Sequence, residues 1–248
     1  MRKPSPEFII GDAIEAVVTK YHETGELDFT AYDTVVDQAR QNLLAGRFAP
    51  PKMGYPELSP PEQAEFDAVV QELDHKALLT EYAAQVKPLG VIAAQLDLRP
   101  FIAENLQLLC FPDLITSVGI VELKTAGRSW SDSDLAKKIQ HVVEVAALKM
   151  VIESGSTEPK ITAIKELFGN SVPVQYHVLV KTKTPKIQIL PVEVTPEQID
   201  QVLNLLKFTA GFEDALKEMF TKGFMPSDRD ATGCQICGKD HTKDFFFT

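Results

Sequence analysis

Three residues near the middle of the chain have the types and spacing for cation-assisted chemistry. Asp113 lies in FPDLIT (111–116), and Glu122 and Lys124 lie in GIVELKT (119–125). Successive side chains of a strand point to opposite faces, so Glu122 and Lys124 share one face of an otherwise apolar strand. A turn at TSVG (116–119) would fold the strand that carries Asp113 back along the strand that carries Glu122, setting two carboxylates side by side. Carboxylates that close raise each other's pKa and favour a cation between them. Carboxylate and carbonyl oxygens are hard ligands suited to Mg²⁺ or Mn²⁺, and the backbone carbonyl of Leu123 can add a third. Lys124 can hold or polarise a water, or stabilise charge developing on a phosphate. Hydrolysis of a phosphodiester would use all of these groups.

The elements that must position them follow from periodicity and turn signals. Residues 8–22 carry apolar residues at helical spacing, from Ile9 to Tyr21. Residues 30–45 and 61–84 read as two further helices, separated by the Pro-rich and irregular segment 48–63. After Lys87 the character changes. LGVIAAQLDL, NLQLLCFPDLIT and GIVELKT read as three consecutive antiparallel strands. Residues 131–154 read as one long helix, capped by Ser131 or Ser133 with acidic residues in its first turn. PVQYHVLVKTK and IQILPVEV read as a fourth and a fifth strand. The last helix opens on Thr195 and Pro196 and stops near Gly223. This order predicts a mixed α/β (α+β) fold: a small central mixed sheet flanked by helices, with an N-terminal helical lobe. We expect one domain over 1–248. Residues 1–86 form its helical part, 87–190 the sheet and helix of the site, and 191–248 the C-terminal helix and a Cys-containing tail.

A chain of 248 residues with 44% hydrophobic and 24% charged residues has the composition of a globular protein. No apolar run approaches a membrane span, and the first residues lack a signal-peptide pattern, so a cytoplasmic location in a bacterial or phage-infected cell is expected, with no membrane partner. Three cysteines argue against a disulfide framework. The net charge of −10 counts against binding nucleic acid by bulk charge. It leaves room for a local basic groove, and Arg128, Lys137, Lys138, Lys181, Lys183 and Lys186 are candidates to line one.

Pro112–Asp113 followed by Glu122-Leu-Lys124 resembles the signature of the PD-(D/E)XK nuclease superfamily. DLITSVGIVELKTAGRSW is similar to its RecB-like, phage-type exonuclease branch. That branch places a Gln on the next helix, which Gln140 matches, with Val or Glu standing where a Tyr is usual. It also has an upstream helix with GxxxH, for which this chain has Gly11 and Glu15. The resemblance implies a restriction-endonuclease-like core. It implies Asp113 and Glu122 as metal ligands with Leu123 beside them, Lys124 as the catalytic lysine, Glu15 completing the metal shell, and Gln140 orienting the site or touching the DNA backbone. The reaction implied is Mg²⁺- or Mn²⁺-dependent hydrolysis of DNA.

Blander readings stand beside these. Glu122 and Lys124 would also suit a solvated ion pair on an edge strand, Glu15 an ordinary helix surface, and Gln140 a helix-end role. His22, His141 and His177 read as structural or exposed, and Trp130 and Tyr176 as core residues before base-stacking ones. Cys234, Cys237 and His241 in CQICGKDH have spacing that suits Zn²⁺, with Asp240 or a partner chain as the missing fourth ligand. Relatives in this branch often end in a Cys-rich segment, which in some of them holds an iron–sulfur cluster on four Cys. With three Cys, one of them Cys110 beside Asp113, no such cluster is expected.

The function expected is a metal-dependent deoxyribonuclease acting on linear or single-stranded DNA ends, in recombination, repair or CRISPR adaptation. A homo-oligomer or a recombination partner protein would fit that role. The alternatives are a structure-specific endonuclease and a non-catalytic nucleic-acid-binding module of the same fold.

Overall fold

A computed structural model describes residues 6–44, 59–61, 64, 67–68, 75–104, 106–169 and 171–221. Among the described residues the first full helices are α1 (Pro6–Thr24), α2 (Phe29–Leu44) and α3 (His75–Gln85). The strands β1 (Val91–Ala94), β2 (Phe101–Ala103), β3 (Leu106–Gln107), β4 (Leu114–Thr116) and β5 (Gly119–Ala126) follow. Then come α4 (Asp132–Leu135), α5 (Gln140–Glu153), α6 (Pro159–Phe168), β6 (Val174–Val180), β7 (Lys186–Val192) and α7 (Pro196–Thr221). The chain separates into two compact units, residues 1–204 and 205–248, and the residues of α7 from Leu205 onward belong to the second.

Five strands form one mixed sheet in the order β1-β4-β5-β6-β7. The β1–β4, β4–β5 and β6–β7 pairs are antiparallel, and β5 and β6 run parallel. A parallel pair needs a crossover, and α4, α5 and α6 supply it. The fold is therefore a mixed α/β sheet flanked by helices, with an N-terminal helical lobe, as the sequence predicts.

Each face of the sheet has its own cover. Val121, Leu123, Leu179 and Ile187 point into a core built with Ile10, Ile14 and Val17 of α1 and Leu79 and Tyr82 of α3. On the other face Tyr176, Val178 and Val180 pack with Trp130 and Leu135. The β4–β5 turn closes on Gly119, whose φ of +118° and whose approach to Pro173 leave no space for a side chain. A Cβ there would lie 2.2 Å from the Pro173 carbonyl oxygen.

Several elements differ from the sequence reading. The first two strands are short, and between them the chain runs out into the small β2–β3 hairpin. That excursion carries the exposed Phe101, Leu109 and Phe111. Residues 131–154 do not form one helix, because the chain breaks between Ala136 and Ile139. Leu135 packs with the Trp130 cluster while α5 lies across Tyr176, and one straight helix cannot serve both contacts. Ser131 is the cap of α4, its N–H donating to Asp134 Oδ2 at 2.9 Å. The helix α6 has a signature that the sequence reading passed over: Glu158 as N-cap, Pro159 in the first turn and Gly169 at the end. Thr195 caps α7 as expected, through reciprocal bonds with Gln198 of 3.3 and 2.8 Å. The irregular segment 48–63 lies outside the described residues except at 59–61, where Pro60 and Pro61 are helical. Gly223 and the tail with Cys234, Cys237 and His241 also lie outside them.

Candidate active site

The site forms where β4 and β5 part. Their ladder begins at Leu114 opposite Val121, which sets Asp113 beside Glu122 just beyond it. Beyond that point β5 keeps β6 as neighbour on one side only, and side chains replace the missing ladder bonds on the other. The Leu123 N–H donates to Asp113 Oδ2 at 2.9 Å, and the Asp113 N–H approaches Glu122 Oε1 at 3.5 Å. The N–H and C=O of a strand residue point the same way, so the Leu123 carbonyl also faces the Asp113 side.

Glu122 is fully buried, Asp113 is 8% exposed, and the Lys124 side chain is 26% exposed. Lys124 Nζ lies 3.0 Å from Glu122 Oε2 and 3.5 Å from Asp113 Oδ2, so one ammonium touches both carboxylates. This removes the solvated edge-strand reading: β5 lies in the middle of the sheet, and the ion pair is largely buried. Gln140, the first residue of α5, donates from Nε2 to Glu122 Oε2 at 2.6 Å and to Glu144 Oε1 at 2.8 Å.

The electrostatics follow from burial and crowding. Burial first, and Glu122 next, hold the Asp113 carboxyl well above the usual carboxylate range, against the pull of Lys124. Burial pulls the Lys124 ammonium down, but Glu122 and Asp113 together outweigh it and leave its pKa raised. Glu144 is 2% exposed, and burial and its contact with Glu122 push its carboxyl far up. The nearby Cys110 thiol is pushed up to about 12 by burial, with Glu144 and Glu122 adding to it.

Glu15 reaches the site indirectly. Its carboxylate accepts a hydrogen bond from Gln95 Nε2, and the Gln95 N–H donates to the Asp113 carbonyl at 3.1 Å. Burial raises the Glu15 pKa, and the Gln95 bond opposes that rise. Gln95 sits at the end of β1 with a φ of +47°, a left-handed conformation that non-glycine residues seldom adopt and that functional sites often hold. Among the described residues no three His, Cys, Asp or Glu side chains converge on one ligand point. The donor set at the fork is therefore the Asp113 and Glu122 carboxylates with the Leu123 carbonyl. These hard oxygens, two of them from crowded acids, fit a Mg²⁺- or Mn²⁺-type ion.

The basic candidates gather at one end of the sheet. β5 and β6 run parallel, with Ala126 beside Val180, and the Lys181 N–H donates to the Ala126 carbonyl at 2.7 Å. Arg128, Lys181, Lys183 and Lys186 therefore leave the sheet at the end nearest Lys124. Their freedom differs. Arg128 makes a two-pronged pair with Asp134 at 2.7 and 2.8 Å, and Lys138 lies 4.9 Å over the Trp130 ring. Lys137, Lys183 and Lys186 are exposed, and Lys181 is half-buried.

The three histidines are buried, which removes the exposed reading for them. His141 Nδ1 meets the Tyr176 hydroxyl at 3.0 Å, and Tyr176 is fully buried. His22 and His177 belong to the core on the opposite sheet face. Sequence reasoning did not assign Gln95 or Glu144. Glu144 had a signal, standing four residues after Gln140 on the same helix face. Gln95 had none, because its role depends on a backbone turn and a contact with a distant helix.

No protein-family model matches the chain. No curated protein matches it either. The chain is similar to the crystal structure of a protein from Eubacterium rectale described as a candidate exonuclease, with a TM-score of 0.41 and 12% identity over 85% of this chain and 67% of that one. At that distance the likeness assigns nothing, and the functional reading stands on the site. Among the described residues no helix is long and apolar enough to cross a membrane.

Proposed function

We propose that this protein is a metal-dependent nuclease that hydrolyses phosphodiester bonds of DNA at the β4–β5 fork. One observation carries the reading: Asp113 and Glu122 meet at a break in the ladder, and the same ammonium, that of Lys124, touches both. Two buried acids and a lysine are a costly group to hold in a sheet interior unless charge is handled there. Asp113, Glu122 and the Leu123 carbonyl would hold Mg²⁺ or Mn²⁺. When bound, such an ion supplies an activated water and neutralises charge on the phosphate.

The residues of the chain do the rest. Lys124 is exposed enough to reach a phosphate oxygen and carries a raised pKa, so it stays charged through neutral pH. It would stabilise the charge that builds on the phosphate in the transition state. Gln140 fixes the Glu122 carboxylate from the helix side. Lys137, Lys181, Lys183 and Lys186 would hold the backbone of the polynucleotide along one end of the sheet, a local basic rim on an acidic protein. The finer reading is an exonuclease acting at DNA ends in recombination, repair or CRISPR adaptation.

The test is cleavage of end-labelled linear DNA and covalently closed circular DNA with Mg²⁺, Mn²⁺ or EDTA, using the wild type and Lys124→Ala. Metal-dependent loss of linear DNA alone, absent in the variant, is the expected result. Cutting of the closed circle would make the enzyme an endonuclease. No metal-dependent cleavage, or equal activity in the variant, would overturn the nuclease reading.

A further inference from the structure

The strand end at Asp113 is held from both sides. On the β5 side its carboxylate accepts the Leu123 N–H at 2.9 Å. On the β1 side the last register pair is Ala94 with Leu114, and one residue further the Gln95 N–H donates to the Asp113 carbonyl at 3.1 Å. That bond is made from a left-handed backbone, since the φ of Gln95 is +47°. A side chain in this region crowds its own backbone, and glycine alone adopts it freely. The side chain kept at this costly position reaches across to α1, where Gln95 Nε2 donates to Glu15 Oε1. Strained backbone persists where the surroundings fix it, and such positions cluster at functional sites. The resemblance gives Glu15 to the metal shell. Here its Oε1 is taken by Gln95, and among the described residues no three His, Cys, Asp or Glu side chains are placed to hold one ion.

We propose that Gln95 is a positioning residue of this site and that Glu15 is its anchor, a hydrogen-bond acceptor on α1 and not a metal ligand. The inference rests on the nuclease reading above and gives Glu15 a different task from the one the resemblance implies. The contacts run from Glu15 Oε1 through the Gln95 side chain and its N–H to the Asp113 carbonyl. They tie the residue that meets Glu122 and Lys124 to a helix of the main core. An anchor needs only an accepting oxygen, which an amide also supplies, whereas a carboxylate ligand of a hard cation contributes its charge as well.

Isothermal titration calorimetry of Mn²⁺ into the purified full chain, with thermal melts, tests this on the wild type, Gln95→Gly, Glu15→Gln and Glu15→Ala. Gln95→Gly keeps the N–H and relieves the backbone. Its melting temperature should equal or exceed that of the wild type, while its Mn²⁺ affinity falls about 10-fold or more. Glu15→Ala should weaken binding in the same way. Glu15→Gln restores an acceptor and should stay within about 3-fold of the wild type. A loss in Glu15→Gln as large as that in Glu15→Ala would make the carboxylate a ligand and overturn the anchor. Unchanged affinity in Gln95→Gly and Glu15→Ala, or a loss that only follows a lower melting temperature, would overturn the positioning role. No Mn²⁺ binding by the wild type would remove the nuclease reading itself, and this inference with it.

Discussion

Lys124 Nζ donates to Glu122 Oε2 at 3.0 Å, two residues away along one strand and on the same face of the sheet. The glutamate is fully buried and the lysine partly open, so the pair joins the sheet interior to the surface. Removing the ammonium leaves two buried acids facing each other. Lys124→Ala is therefore expected to lower stability by about 3 kcal/mol without metal, and to lower the cleavage rate at least about 100-fold with metal. Mg²⁺ should restore much of the lost stability, because it supplies the missing positive charge, but not the rate. Melting temperatures and single-turnover cleavage with and without Mg²⁺ measure the two effects separately.

Asp113 gives the site a pH signature. Its folded pKa is raised, mainly by burial and then by Glu122, above the 3.8 of an open aspartate. The metal-free folded state thus keeps a proton that the unfolded chain releases near that value. This contribution to stability is fully present below pH 3.8 and is lost as pH rises through the raised folded pKa. A divalent cation must displace that proton, so binding strengthens as pH rises. Mg²⁺ should raise the melting temperature more at pH 8 than at pH 5.5. Equal shifts at the two values would count against Asp113 as a ligand.

Much of this site was legible because its parts are local. The Glu122–Lys124 spacing and the turn before Gly119 need only the two-residue period of a strand and one hairpin; Asp113, read as part of the preceding strand, stands one residue ahead of β4 and still meets Glu122. Gln140 was legible by resemblance, although the helix carrying it begins nine residues later than the one read from periodicity, at Gln140 instead of residue 131. Ala136, Lys137 and Lys138 are all good helix formers, and the break among them comes from tertiary packing that no local propensity records. The crossover helix α6 had a sound capping signature at Glu158 and Pro159. The β2–β3 excursion, Gln95 and the meeting of Glu144 with Glu122 depend on contacts between distant segments, which one sequence does not display.

The opposite face of the sheet holds a second polar chain with a direction. The Leu89 N–H donates to His22 Nδ1 at 3.1 Å, so the neutral ring carries its proton on Nε2, which faces the Tyr82 hydroxyl at 2.8 Å. Tyr82 then donates to His177 Nδ1 at 2.5 Å. Burial pushes both histidines down to about 4, well below the 6.5 of an open histidine. The unfolded chain therefore binds protons in a range where the folded one does not. Stability from this source is full above pH 6.5 and falls as pH drops toward 4, by about 1.4 kcal/mol per pH unit for each proton. Tyr82→Phe, which leaves His22 Nε2 and His177 Nδ1 without a partner, should cost about 1–3 kcal/mol at pH 7. Urea denaturation between pH 4.5 and 7.5 gives both numbers.

Gly119 tests the geometry of the hairpin that brings Asp113 to Glu122. Its φ of +118° and the 2.2 Å approach of the Pro173 carbonyl to a built Cβ make any side chain a clash with backbone. Gly119→Ala should cost about 3 kcal/mol or more, through strain at this φ and displacement of Pro173. Because the Ile120 N–H donates to that same carbonyl at 2.9 Å, the damage should spread into the β5–β6 pair. Mg²⁺ binding should weaken together with stability, and a fully stable Gly119→Ala would contradict the turn.

The basic rim makes a prediction that is independent of chemistry at the fork. Lys181 and Lys183 follow β6 at the end of the sheet where Lys124 opens to solvent, and Lys183 is exposed. If they hold phosphates, each releases a counterion when DNA binds, and the affinity falls steeply with salt. The double change Lys181→Gln and Lys183→Gln removes two charges without touching Asp113, Glu122 or Lys124. Binding of a labelled oligonucleotide, measured with Ca²⁺ in place of Mg²⁺ over a series of NaCl concentrations, should weaken at low salt. The slope of log affinity against log salt should become shallower by about 2 for duplex DNA. An unchanged slope would move the DNA path away from the β6–β7 turn and toward Lys137 and Lys138, both exposed ahead of α5.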